Sequence, residues 1–339
     1  MTIPDDPFFD STELCRYVGP GIFNVPRIGA IELRRFFLER EIVANAFHHV
    51  SWGIPIAQYF WLVGSSAGSF VISSLGWVFG VKKYKPISFF ASNLAIIQLM
   101  IVPVLLVFDL GQPMRAIHLI PIISNFWHIT APLAWGTLLV GSYPIGMAIY
   151  SYLIYKHNEK WARVFGFIAV IQAISTHWYT GITMALNPSR HPNHTALAAL
   201  LFLIGAFISG IGLLNIILKI RDYFLKLEDR LDPTIIIGLG RLILVGIGLD
   251  IFLVFSEFMH MTYGTEEEFH ALELITTVFR APVIQLYLGV GLALPLVILV
   301  SPYGKKTSGV LVASALVAVG IFGMRLGWVL ISQYSQTLF

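Results

Sequence analysis

Ionisable residues sit inside stretches that otherwise carry almost nothing but apolar side chains. "GLGRLILVGIGLDIFLVFSEFMHMTYG" holds Asp250, Glu257 and His260, and "FGMRLGW" holds Arg325. A charge in such surroundings is costly, so each marks a candidate functional position. Asp250 and Glu257 are seven residues apart. That spacing puts them on one helix face about 10 Å apart along the axis, with His260 a turn further on. A line of carboxyl and imidazole groups suits proton transfer. Arg325 lies about as deep in its stretch as Glu257 in its own, and a Glu257–Arg325 pair is the expected way of keeping both charged in low dielectric. The competing reading is that these groups only lock helices together. Arg241, near the other end of its stretch, is expected to snorkel.

A second set is uncharged. In "VIQAISTHWYTGITMALNP", Gln172, Ser175 or Thr176, Tyr179 and Thr183 recur at helical spacing as one polar stripe. A tyrosine or histidine at this depth can hydrogen-bond a quinone carbonyl and exchange its protons. "GIPIAQYFWLVGSSAGSFVISS" carries Gln58 and Tyr59 near its start, then a run of small residues from Gly64 to Ser69. Small residues let a helix or a flat ring approach closely, and plain helix packing is the simpler use of them. Tyr179 could equally be an interfacial anchor. A third candidate is "FDLGQPMRAIHL". Here an apolar stretch stops abruptly, and Gly111 and Pro113 break the helix so that Asp109 and Arg115 form a rigid rim.

The elements that must position these residues follow from composition. The 339 residues are 56% hydrophobic and 12% charged, which leaves too little polar surface for a water-soluble globule. Apolar runs long enough to cross a hydrocarbon core of about 30 Å occur near 54–81, 86–108, 132–155, 161–186, 195–218, 235–263, 278–300 and 308–331. In lipid such runs must be helices, so the expected fold is all-α: a polytopic bundle of eight transmembrane helices. It comprises an extramembrane tail at 1–50 that docks a partner, a membrane domain at 51–331 and a short tail at 332–339. Nothing in the first 50 residues reads as a signal peptide. Every lysine falls in or beside the loops after spans 1, 3, 5 and 7. The positive-inside rule makes that side cytoplasmic, with both termini outside and the protein multi-pass in the cytoplasmic (inner) membrane. "KIRDYFLKLEDRLDP" at 219–233 is expected to form an amphipathic surface helix.

Exclusions narrow the chemistry. Cys15 is the only cysteine, so the chain has no thiolates for a cluster of its own. His177 and His260 lie at different depths, which disfavours a haem b. No metal site, no resident cofactor and no nucleic-acid partner are expected.

"DLGQPMR" at 109–115 resembles the D-L-G-R-P-x-R signature of the NrfD/PsrC family of polysulfide-reductase-like membrane subunits, with Gln112 in place of the usual arginine. The "YTG" at 179–181, the eight spans and the outside termini fit as well, so the resemblance covers roughly 52–331. It implies a quinone-binding subunit without cofactors of its own, taking menaquinone or another quinone as substrate. The implied partners are a four-cluster ferredoxin-like iron–sulfur subunit on the outer face and, through it, a molybdopterin or hydrogenase-type catalytic subunit. The family's quinone contacts carry over to Tyr59 or Gln58 and to Tyr179, with Tyr59 near the place of an expected histidine. His177, Asp109 and Arg115 complete the candidate quinone set; Asp250, Glu257, His260 and Arg325 make up the candidate proton-transfer set. The function expected is electron exchange between a membrane quinone pool and the iron–sulfur partner, possible proton translocation included. The alternatives are a secondary transporter using the Asp250–Glu257–Arg325 line and an inert membrane anchor.

Overall fold

Serines and glycines share the inside of this helical bundle with bulky apolar and aromatic side chains, while many other large apolar residues face outward. The computed structural model describes residues 52–109, 132–186, 195–226, 228 and 230–334. Expectations for the N-terminal tail, for Arg115 and the rim beyond Asp109, and for "NPSRHPNH" at 187–194 lie outside these residues. All regular structure described is helical: α1 Ile54–Trp77, α2 Lys85–Asp109, α3 Pro132–Tyr155, α4 Glu159–Ala185, α5 Ala196–Phe224, α6 Pro233–Tyr263 and α7 Glu266–Thr276. A π-helical stretch Arg280–Ala293 then runs into the α-helix Leu294–Val300, together α8, and α9 spans Thr307–Tyr334. Among the described residues, six helices (α2, α3, α5, α6, α8 and α9) are long and apolar enough to cross a membrane. At 24 and 27 residues, α1 and α4 match them in length but carry the hydroxyl and amide groups noted above.

This mixed interior and apolar exterior have a physical reason. In hydrocarbon, apolar surface gains nothing by being buried, and helices associate through close packing and hydrogen bonds. Ser65, Ser66, Ser69 and Ser73 of α1 are fully buried, whereas Ile97, Met100 and Val104 of α2 and Phe252 and Phe255 of α6 are exposed. Where α1 crosses α5, a Cβ on Gly68 or Gly210 would strike the other helix's backbone, and Ser69 donates to the Gly210 carbonyl (3.2 Å). Gly291 of α8 and Gly320 of α9 meet in the same way.

The packing falls into two rings of four. Helices α1, α2, α3 and α4 contact one another in order and close through α1–α4. Helices α5, α6, α8 and α9 do the same and close through α5–α9. The rings join where α5 packs on α1 and α4, and α9 on α1.

One local expectation differs from what is found. Residues 219–224 are the last turns of α5 and not a separate surface helix. The helix ends at Phe224, Asp222 is buried and accepts from the Leu231 N–H (3.3 Å), and the chain turns back into α6. Asp232 caps α6 by accepting from the Thr234 N–H (2.8 Å), a bond that also holds its carboxyl below the ordinary value. The segment after α6 forms the short helix α7. Thr265 and Glu268 form a reciprocal capping box at its start, and Ala271, Leu274 and Ile275 are its buried face.

Candidate functional site

At the end of the bundle where α1 begins and α4 ends, away from the lysines, Tyr59 and Tyr179 are buried at 7% exposure each and are electrostatic neighbours. Gly136 near the start of α3 makes this possible: any side chain there would collide with the Tyr179 ring. The Tyr179 hydroxyl lies within hydrogen-bonding reach of the Gly136 backbone and of Thr183. Thr183 in turn donates to the Tyr179 carbonyl (2.8 Å). Gln58 precedes Tyr59 and is half-buried, as is Asp109 at the end of α2. Two phenols in a dry setting can each donate a hydrogen bond to a carbonyl oxygen and move a proton to it.

From Tyr59 an aromatic row leads into the second ring. Tyr59 packs on Phe60 (centroids 4.9 Å) and Phe60 meets Phe202 of α5 edge-on (5.8 Å). The Arg325 guanidinium lies 3.9 Å over the Phe202 ring. Its Nη2 donates to the Phe202 carbonyl (2.6 Å) and lies 3.2 Å from Nε2 of His177. That Nε2 is itself 2.7 Å from the same carbonyl. One ring nitrogen cannot both donate to Phe202 and accept from Arg325, so the tautomer of His177 decides which contact is made. His177 therefore sits at the seam between the rings, with its ring edge against Gly64 of α1.

Arg325 is fully buried and its carboxylate neighbour is Asp250, also fully buried. Tyr287 of α8 donates to Asp250 Oδ2 (2.9 Å). Tyr287 packs its ring against Trp328 of α9 (6.2 Å) and shares the buried face of the π-helical stretch with Val283 and Gly291.

Asp250 and Glu257 share one buried face of α6, as their spacing requires. The expected Glu257–Arg325 pair is not what forms. Arg325 turns to Phe202, His177 and Asp250, whereas both oxygens of Glu257 accept from Thr195 Oγ1 (3.0 Å each). Thr195 is the N-cap of α5 and accepts there from the Ala198 N–H (3.1 Å), so Glu257 rests at the positive end of a helix dipole. That terminus, and not a distant cation, balances the carboxylate. His260 stands at the edge of the same helix beside Glu268 of α7 (3.3 Å).

Three contributors went unnoticed in the sequence. Tyr287 stands out as a tyrosine in the middle of "PVIQLYLGVG". Glu268 is signalled by the T-x-x-E capping pattern at 265–268, and Thr195 by being the last hydroxyl residue before an apolar run.

A family model described as "Polysulphide reductase, NrfD" matches residues 42–338. The Hdr-like menaquinol oxidoreductase integral membrane subunit of Archaeoglobus fulgidus is 28% identical over 283 residues, covering 81% of this chain and 69% of that protein. A component of the polysulfide reductase of Wolinella succinogenes is 27% identical over 308 residues, covering 82% of this chain and 93% of that protein. A component of the selenate reductase of Mesobacillus selenatarsenatis is 23% identical over 273 residues, covering 70% of this chain, and the aligned region spans 63% of its own length, under two thirds. With the match running across nearly all of its helices, this chain belongs to the polysulphide reductase NrfD family.

Proposed function

We propose that the chain is the quinone-reactive membrane subunit of a multi-subunit respiratory oxidoreductase. It exchanges electrons between a quinone pool and an extrinsic four-cluster ferredoxin-like iron–sulfur subunit, which connects to a molybdopterin or hydrogenase-type catalytic subunit. The observation that carries this reading is the buried Tyr59–Tyr179 pair at one end of the first ring. Relatives named as a menaquinol oxidoreductase membrane subunit and as parts of reductases support it and make menaquinone the first candidate. Family membership also favours it over a transporter built on the same buried charges.

In this reading α1 to α6, α8 and α9 each cross the cytoplasmic membrane. The even number of spans puts both termini on one side, and the lysines at the other end make that side the outer one. The quinone head group lies between Tyr59 and Tyr179, with Gln58, His177 and Asp109 nearby and Arg115 assigned to the same set by the family resemblance. The N-terminal tail serves to bind the iron–sulfur partner. Reducing a quinone to a quinol takes two electrons and two protons. The electrons cross from the partner, the phenols donate to the carbonyl oxygens that gain charge, and Asp250, Glu257, His260 and Arg325 serve the protons.

Tyr179→Phe tests the assignment. It keeps the ring over Gly136 and removes one neutral hydrogen bond, a loss of about 1 kcal/mol. The complex should assemble in normal amounts, with quinol turnover lowered roughly five-fold. Quinol kinetics identical to the wild type would remove Tyr179 from the site.

A further inference from the structure

Glu257 is buried, yet its surroundings lead outward. Glu268 on α7 lies 3.3 Å from His260, which follows Glu257 by about one turn of α6, and its carboxylate is an electrostatic neighbour of Glu257. Glu268 is held from two sides: Oε2 accepts from the Thr265 N–H (2.8 Å), and Oε1 lies 3.3 Å from Nε2 of His260. Exposure rises in steps along this series. Glu257 is at 0%, the Glu268 side chain at 11% and the His260 side chain at 45%. Each acid stands at a helix N-terminus, Glu257 through Thr195 on α5 and Glu268 as the third residue of α7. Each carboxylate is thus favoured by a helix dipole.

We propose that Glu257, Glu268 and His260 form a proton relay between the buried carboxylate face of α6 and water, with Glu268 as the middle member and α7 as the element that carries it there. The proposal rests on the quinone reading above for the use of the protons, but not for the path. In the outward direction, the O–H of protonated Glu257 breaks as one forms on Glu268. That bond breaks as N–H forms on His260, and the imidazolium releases the proton to water. Charge moves with the proton and no oxidant or reductant is needed. Thr195 holds Glu257 at the inner end, donating to it from α5, and Thr265 holds Glu268 from the start of α7. The other charged residues described on α7, Glu266, His270 and Glu273, are not in this contact series; His270 pairs with Glu273 (3.4 Å).

Glu268→Gln separates the relay from a structural role, because the amide oxygen still accepts from the Thr265 N–H while the titrating group is gone. In the complex purified with its native partners and reconstituted into liposomes with a pH-sensitive dye, Glu268→Gln should slow quinol-linked proton movement by about 10²-fold, with Glu268→Asp recovering part of it. His260→Ala, at the water-exposed end, should slow it by about ten-fold, and added free imidazole should restore it. Proton movement within two-fold of wild type in Glu268→Gln, or a His260→Ala defect that imidazole leaves unchanged, would overturn the relay. A second readout is independent of quinone activity and of how Glu268→Gln assembles in the complex. Infrared titration of the protonated-carboxyl band in the full chain should show a buried-carboxyl component whose midpoint moves in Glu268→Gln and Glu268→Ala relative to wild type, because Glu257 loses a charged neighbour. An unchanged band would overturn the proposal even if the quinone reading stands, whereas a changed band with no quinol activity would keep the relay and remove the quinone reading.

Discussion

Asp250→Leu is expected to abolish accumulation of the folded chain in membranes. Arg325 would then keep its contacts to Phe202 and His177 but lose its carboxylate neighbour. A guanidinium cannot shed its proton to escape the cost. Leaving a buried charge unpaired costs about 3–5 kcal/mol, a large part of a typical total stability of about 5–15 kcal/mol. Arg325→Leu should be milder, because the stranded Asp250 can take up a proton and remain bonded to Tyr287. The double variant Asp250→Leu with Arg325→Met should recover accumulation, since apolar replacements of a buried pair are often neutral or stabilising. Quantifying the chain in washed membranes, and its unfolding temperature in detergent, checks all three. Wild-type accumulation of Asp250→Leu would mean that Arg325 is balanced by something other than Asp250.

Asp250→Asn should separate packing from chemistry. The amide carbonyl still accepts from Tyr287 and keeps its dipole toward Arg325, while the ring and carbonyl of Phe202 continue to hold the guanidinium. The variant is expected to assemble in reduced but usable amount and to bind quinone. Its quinol turnover should fall by roughly 10²-fold, the usual scale for removing a proton-transferring group. Turnover within two-fold of wild type, measured on the assembled fraction, would leave Asp250 with a purely structural role.

Much of the architecture was legible in the apolar runs, because in hydrocarbon a run of the right length has no other stable form than a helix. The predicted 54–81, 132–155 and 235–263 lie within a few residues of α1, α3 and α6. The side-by-side placement of Asp250 and Glu257 followed from spacing alone. Partner choice did not. Depth matching favoured Glu257 for Arg325, but depth says nothing about rotation, and the rotation of α9 aims Arg325 at Phe202, His177 and Asp250. The carboxylate of Glu257 needed no cation because a helix N-terminus stood beside it through Thr195. Charge matching overlooks that kind of partner. The short helix α7 was not among the expected spans: its apolar face is too short to cross a membrane, and its start is signalled by the capping box. The seam position of His177 depends on how two rings of helices meet, which no single run of sequence records.

The central claim is that a quinone reacts between Tyr59 and Tyr179, and photolabelling tests it most directly. The intact complex is illuminated with an azido-substituted menaquinone analogue, with and without excess natural quinone, and the labelled peptides are identified by mass spectrometry. Label on the segments containing Tyr59 and Tyr179, suppressed by the natural quinone and weakened by Tyr179→Phe, is the result predicted. Label confined to the segments around Asp250, Glu257 and Arg325, or label anywhere that natural quinone does not suppress, would contradict it.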